Sequence, residues 1–90
     1  MARYLVERIF PQGFTMPMTD AGVAQCAGLI DRNADLGVTW VHSYVSDDRR
    51  KTFCVYDGPD PESIRRASAR NGLPIESITR VRVLDPYFFL

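Results

Sequence analysis

Apolar and polar residues alternate along four short segments of the chain, and two longer segments between them follow a helical period. The alternating segments are Tyr4–Phe10, Val38–Ser46, Lys51–Asp57 and Ile78–Leu84. They are rich in β-branched and aromatic residues and are bounded by turn-forming residues, which is typical of β-strands. The pattern therefore predicts four strands, the second and third joined by a polar hairpin loop at residues 47–50.

The segment between Thr19 and Gly37 has the spacing of an amphipathic helix. Its apolar stripe consists of Val23, Cys26, Ala27, Ile30 and Ala34. These positions recur at i, i+3, i+4, i+7 and i+11, so they share one side of a helix. We predict a first helix here, with Thr19 as its N-cap and Gly37 at its end.

A second helix is indicated between Asp60 and Gly72. Asp60 suits the N-cap, Pro61 the first helical position and Glu62 the first turn,. Gly72 suits the position just beyond the C-cap, where a left-handed backbone is common, and a proline two residues later blocks continuation.

These elements run in the order β-α-β-β-α-β. With right-handed crossovers, that order predicts an α+β, ferredoxin-like sandwich in which a four-stranded antiparallel sheet has the strand order 4-1-3-2. Both helices are expected on one face of the sheet. The length of 90 residues corresponds to a single domain, residues 1–90,.

Two helices on one face leave the other face open. The residues that strand alternation and hydrophobicity place on the covered face are five valines and one phenylalanine, namely Val41, Val45, Phe53, Val55, Val81 and Val83. The opposite parity falls on the open face: Glu7, Trp40, His42, Tyr44, Thr52, Cys54 and Tyr56. An aromatic surface of this kind usually contacts a partner, so we expect a homodimer.

Composition narrows the classes of function. Eleven Lys and Arg residues balance eleven Asp and Glu residues, which argues against a nucleic-acid-binding protein,. No apolar stretch is long enough to cross a bilayer, and the N-terminal residues do not resemble a signal peptide. We therefore expect a cytoplasmic protein with no membrane partner. The two cysteines do not form a Cys-x-x-Cys pair, so the sequence argues against a structural zinc site,.

The single histidine, His42, is the most informative candidate for chemistry, and three interpretations of it stay open. It is a ligand of a divalent metal, an acid–base group, or a histidine with a purely structural role. As a metal ligand it needs carboxylates, for which Glu7, Asp47 and Glu62 are the candidates.

The enzyme interpretation uses a different set of residues. A small organic substrate would bind on the open face of a dimeric α/β barrel, with His42 as acid or base and Glu7 and Tyr44 assisting. Cys54 would be a nucleophile activated by His42 across neighbouring strands. The sequence has no phosphate-binding loop, dinucleotide fingerprint, zinc-protease or serine-hydrolase motif, so the enzyme classes that carry those motifs are excluded,.

Several segments resemble a family of small bacterial proteins described as nickel-responsive or nickel-binding. The matching segments are YLVER at residues 4–8, WVHSYVSDD at 40–48, TFCVY at 52–56, PDPESIR at 59–65 and GLP at 72–74. The resemblance extends over about nine tenths of the chain. Several of these residues, Cys54 among them, are not required by the fold.

The resemblance implies a ferredoxin-like fold, a homodimer and binding of a divalent metal such as nickel. The chain departs from the family pattern in the second helix, where Arg66 and Ala67 occupy positions that hold an acid and a histidine in the family. Residues and resemblance together favour a small cytoplasmic homodimer that binds a divalent metal through His42, for sequestration or response. The organic-substrate enzyme is the alternative.

Overall fold

The computed structural model describes residues 2–14, 28 and 36–86, and these include a four-stranded antiparallel sheet and one helix. The strands are β1 (Ala2–Ile9), β2 (Thr39–Val45), β3 (Lys51–Gly58) and β4 (Ser77–Val81). The helix α1 (Pro61–Arg70) connects β3 to β4. The observed order, β2-β3-β1-β4, is the predicted 4-1-3-2 arrangement written from the other edge. The α+β class and the sheet topology are thus confirmed.

The predicted first helix lies outside the described residues, except for Gly28, which is helical. The apolar residues after Pro86 also lie outside them. Within the described ranges, no helix has the length and apolar character needed to span a membrane.

Helix α1 begins and ends where its capping residues predict. Asp60 is the N-cap, and its carboxylate accepts a hydrogen bond from the backbone N–H of Ser63 at 2.7 Å. This bond lowers the pKa of Asp60, because it favours the charged carboxylate,. At the other end, Gly72 has φ +67°, and Leu73 N–H donates to the Ser68 carbonyl at 2.9 Å. That pairing is a Schellman motif, and it satisfies carbonyl groups that the helix leaves open.

Polar contacts hold the predicted hairpin loop between β2 and β3. The Ser46 hydroxyl donates to the Asp48 carboxylate at 2.7 Å, and the Arg50 backbone N–H donates to the same oxygen at 3.0 Å. The Arg50 bond is the main reason that the pKa of Asp48 is lowered. Asp48 therefore acts as a turn-stabilising acceptor, which is a common role for aspartate in tight turns.

The hydrophobic core lies between α1 and one face of the sheet, which we call the covered face. Its buried residues are Tyr4, Val6, Val38, Cys54, Tyr56, Ile64 and Ala67. Trp40, Ile75 and Ile78 pack against this cluster while partly exposed. Because β1 pairs Tyr4 with Tyr56 and Val6 with Cys54, the even-numbered residues of both strands share the covered face,.

This arrangement corrects the predicted assignment of β3. Thr52, Cys54 and Tyr56 were expected on the open face, but they are buried on the covered face. Phe53 and Val55 are on the open face instead, since they pair with Glu7 and Leu5. The prediction had assigned the more hydrophobic residues of β3 to the covered face. The covered face accepts polar atoms because hydrogen bonds inside the domain satisfy them.

A β-bulge divides β2 into two parts of opposite parity. The register passes from Trp40 opposite Tyr56 to His42 opposite Val55, so Val41 is the additional residue,. Trp40 therefore lies on the covered face, contrary to prediction. His42 and Tyr44 lie on the open face, as predicted. Val41, expected on the covered face, is 38% exposed.

The last strand is shorter than predicted. β4 ends at Val81 rather than at residue 84, and Val81 pairs with Arg3 on the open face. Val83 and Leu84 lie beyond Val81 and are not among the described residues that pair with β1. Both side chains are exposed.

The buried guanidinium of Arg8 connects the sheet to the helix. Arg8 is 1% exposed and donates to the Tyr56 hydroxyl at 3.1 Å, the Ser68 hydroxyl at 3.0 Å and the Pro74 carbonyl at 2.8 Å. Its charged carbon also lies 5.8 Å from the centre of the Tyr56 ring, within the range of a cation–π contact,. Among the described residues, Arg8 has no acidic partner.

Replacing Arg8 with methionine tests how much this network stabilises the fold. Met fills a similar volume but leaves two hydroxyls and a carbonyl without their donor, so Arg8→Met should lower the free energy of unfolding by about 2–3 kcal/mol. Urea denaturation followed by circular dichroism measures the change. The control Arg66→Gln removes a charge from an exposed helix position and should leave the midpoint unchanged. Equal stability of Arg8→Met and the native protein would contradict the assigned role.

Candidate functional site

The open face carries the residues that the sequence singled out, arranged in rows across the strands. One row contains His42, Val55, Leu5 and Thr79. The next contains Tyr44, Phe53, Glu7 and Ser77. We call His42, Tyr44, Phe53 and Glu7 the His42 surface. Its members come from three strands that lie side by side.

His42 is exposed, and its ring meets the ring of Tyr44 edge to face. The two ring centres are 5.2 Å apart, and the ring planes are inclined at 84°. Such a geometry is favourable for aromatic pairs. Neither nitrogen of His42 forms a hydrogen bond with another described residue. The imidazole is therefore exposed beside Tyr44, with no hydrogen bond to a described residue that would occupy its nitrogens.

Glu7 shares this surface with His42 but does not reach it. The two residues are two strands and one row apart, which corresponds to about 12 Å between their backbones. The Glu7 carboxylate also forms a salt bridge with Lys51, at 3.2 Å. Glu7 is therefore neither close enough nor free enough to orient the His42 ring within one chain.

The other two predicted carboxylates lie away from the His42 surface. Asp47 is exposed in the hairpin loop, beyond the end of β2. Glu62 is exposed in the first turn of α1 and forms an ion pair with Arg65. His42, Glu7, Asp47 and Glu62 are thus not brought together in a single chain.

Cys54 does not lie beside His42, and the predicted Cys54–His42 pair is wrong. Cys54 is 7% exposed on the covered face, where it is opposite Ser43. Its thiol donates a weak hydrogen bond to the Thr52 hydroxyl at 3.6 Å. The nearby hydroxyl of Tyr56 has a raised pKa, mainly because of burial. These surroundings are those of a structural cysteine.

Within the part of the chain that the structure describes, no three His, Cys, Asp or Glu residues are close enough to hold a metal ion. One accessible imidazole per chain is a single ligand, whereas nickel sites combine several nitrogen or oxygen donors. The described residues of one chain therefore do not fit a nickel ion alone. A nickel ion at His42 would need further ligands from outside the described residues of this chain,.

Sequence reasoning missed two groups of arginines. Arg8 has the same parity as Tyr4 and Val6 in β1, and this periodicity was a signal that its side chain is buried. Arg80 and Arg82 line a cleft together with Arg3, near the end of β4. No local pattern indicates that cleft, because β1 and β4 are far apart in the sequence.

Comparison with known proteins gives a family match and a structural match. Residues 4–81 match the family model described as "Nickel responsive protein SCO4226-like". The fold is similar to the crystal structure of SCO4226 from Streptomyces coelicolor A3(2), with a TM-score of 0.74 and 18% sequence identity. That alignment covers 93% of this chain and 100% of SCO4226. No curated protein matches the sequence.

The burial of Cys54 can be tested by its reaction with a thiol reagent. A Cys26→Ser variant leaves Cys54 as the one thiol. A disulfide reagent such as DTNB should react with the folded variant at least about 100 times more slowly than with the urea-unfolded variant. The reason is that a buried thiol reacts only when the structure opens. The release of thionitrobenzoate measures both rates. Rapid reaction of the folded protein, slowed by His42→Ala, would restore the pairing rejected above.

Proposed function

We propose that this chain, which belongs to the family of SCO4226-like nickel-responsive proteins, is a homodimeric protein that binds a divalent metal ion of the nickel type. The observation that carries the proposal is the accessible imidazole of His42 on the open face. The family name supports nickel as the ion. The role that follows is sequestration of, or response to, that metal.

The apolar and aromatic side chains of the open face support an interface between two copies of the chain. Val55 is 9% exposed on this face although it lies outside the cluster beneath α1. Leu5 and Phe53 are half-buried neighbours, whereas the ring of Tyr44 is 63% exposed. Two such faces would pack about 10 Å apart, as sheets do in sandwiches. A second copy would cover Tyr44 and the other apolar side chains.

A dimer of this kind also resolves the shortage of metal ligands. In a two-fold symmetric interface, both chains use the same surface, and a residue beside the two-fold axis lies close to its own copy. His42 of both subunits would then lie in one interface and provide two imidazole nitrogens. Glu7 is the open-face carboxylate that would complete the set, since Asp47 and Glu62 lie elsewhere. Nickel-type ions accept imidazole and carboxylate ligands together.

The histidine that the sequence resemblance implies for the helix α1 would lie on the other side of the sheet. Its position is occupied by Ala67, which is 3% exposed and packs in the core beneath α1. Ala67 therefore does not lie on the His42 surface. The substitution removes a donor from the covered face and leaves the proposed site unaffected.

The complete fold that we infer is the ferredoxin-like sandwich, with a second helix beside α1 on the covered face. The strand order and the crossover through α1 support it. The requirement that β-α-β crossovers be right-handed places the two helices on the same side.

Calorimetric titration with Ni²⁺ tests the metal site directly. The native protein should bind about one ion per two chains, and His42→Ala should weaken binding at least about 100-fold, because it removes both imidazoles of a symmetric site. Glu62→Gln is a matched control, since Glu62 already pairs with Arg65 and lies off the open face. Unchanged Ni²⁺ affinity in His42→Ala, or the same loss in the control, would contradict the proposal.

The interface is tested separately by a charge on the open face. Phe53→Glu should convert the dimer to a monomer, because burying an unpaired carboxylate in an apolar interface is costly. Analytical ultracentrifugation measures the change in mass. The control Ala69→Glu introduces the same charge at an exposed position of α1 and should leave the dimer intact. A native protein that sediments as a monomer at high concentration would exclude the interface.

A further inference from the structure

A cleft of about 440 Å³ lies where β1 begins and β4 ends, away from the His42 surface. Its charged lining residues are Arg3, Asp57, Arg80 and Arg82. Three cations and one anion give this lining a net charge of +2, in a protein whose overall formal charge is zero. The cleft is therefore a local concentration of positive charge.

The single acid of the cleft is already neutralised. Arg3 donates from Nε to one oxygen of Asp57 at 2.9 Å and from a terminal nitrogen to the other at 3.2 Å. This two-point contact is a strong form of arginine–carboxylate pairing. The hydrogen bonds from Arg3 lower the pKa of Asp57, so the carboxylate stays charged and held by Arg3. Asp57 is not positioned to neutralise the two remaining arginines as well.

Arg80 and Arg82 are the available cations. Both are exposed, and neither forms a hydrogen bond or an ion pair with any described residue. They are two residues apart, Arg80 in β4 and Arg82 just after it, and both line the same cleft. Two guanidinium groups at this spacing present several N–H donors to one space. Carboxylate and phosphate groups can each accept two N–H bonds from a planar guanidinium, so both match that donor pattern.

The rest of the lining is apolar. Ala2, Val81 and Val83 border the cleft, and the side chain of Val83 is 53% exposed. A volume of about 440 Å³ is within the range of sites for small molecules,. The combination of two cations with an apolar wall suits a molecule with one anionic group and a short carbon body.

We propose that this cleft is a binding site for a small organic anion, whose carboxylate or phosphate group is held by Arg80 and Arg82. Arg3 is positioned by Asp57 and contributes positive potential at the same end of the cleft. Ala2, Val81 and Val83 contact the carbon body of the ligand. The site is independent of His42, because Arg80 pairs with Tyr4 of the covered face, whereas His42 pairs with Val55 on the open face.

Titration with two probes tests the site and separates the sources of the anionic group. Inorganic phosphate and hexanoate are added to the ¹⁵N-labelled protein at low salt, because screening weakens exposed charge pairs. Amide signals of residues 2–3 and 80–83 should shift in a saturable manner. Tighter binding of phosphate identifies a phosphate ligand. Tighter binding of hexanoate identifies a carboxylate with an apolar body.

Matched variants decide whether the cleft is responsible. Arg80→Gln with Arg82→Gln should raise the dissociation constant at least about tenfold, since two charge-assisted contacts are lost. Arg80→Lys with Arg82→Lys keeps the charge but loses the planar donors and should give an intermediate value. The control pair Arg65→Gln and Arg66→Gln removes the same charge from α1 and should change the constant less than about twofold.

Three results would overturn the proposal. The first is the absence of saturable shifts with either probe. The second is equal weakening in the cleft variants and in the α1 control, which would indicate general attraction to a positive surface. The third is saturable binding that persists unchanged in Arg80→Gln with Arg82→Gln. Nickel binding at His42 is measured in the same variants and should be unaffected, so the two proposals fail independently.

Discussion

The hydrogen bonds of one buried cation determine how the helix sits on the sheet. Arg8 extends from β1 beneath α1 and binds a hydroxyl of β3, a hydroxyl of the helix and a carbonyl of the connection that follows. Burying a guanidinium is costly unless its donors are used, so this residue tolerates few alternative packings. Nε is the one nitrogen without a partner among the described residues. These bonds hold α1 against the covered face, so α1 does not cover His42 on the opposite face.

The sequence predicted the architecture because local signals and chain order were sufficient for it. Asp60, Pro61 and Gly72 define α1 within one or two residues, and the polar loop after β2 defines the hairpin. The order of elements, combined with the handedness of crossovers, then leaves few topologies. The predicted positions of the strand ends were less accurate. The end of β4 depends on where β1 begins, and this is a long-range pairing that no local pattern contains.

The candidate site was only partly predictable, and the errors have a common physical origin. Glu7, His42 and Tyr44 were placed on the correct face. Cys54 was not, because its face was assigned from hydrophobic ranking, and the covered face holds Thr52 and the polar ends of Tyr56 and Arg8. The arginines around the cleft were not anticipated at all, since Arg3 and Arg82 meet only through the register of β1 with β4. The prediction was built around the single histidine, so it identified the His42 surface and missed the arginine-lined cleft.

The additional residue in β2 separates two roles within seven positions. Before Val41, the strand contributes Trp40 to the packing beneath the helix, and after it the strand presents His42 and Tyr44 outward. In a regular strand, Trp40 and His42 would share one face because they are two residues apart, and the bulge at Val41 is what places them on opposite faces,. One additional residue thus lets a single short strand supply an indole to the core and an imidazole to the outer surface, while the pairings of β1 with its two neighbours stay regular.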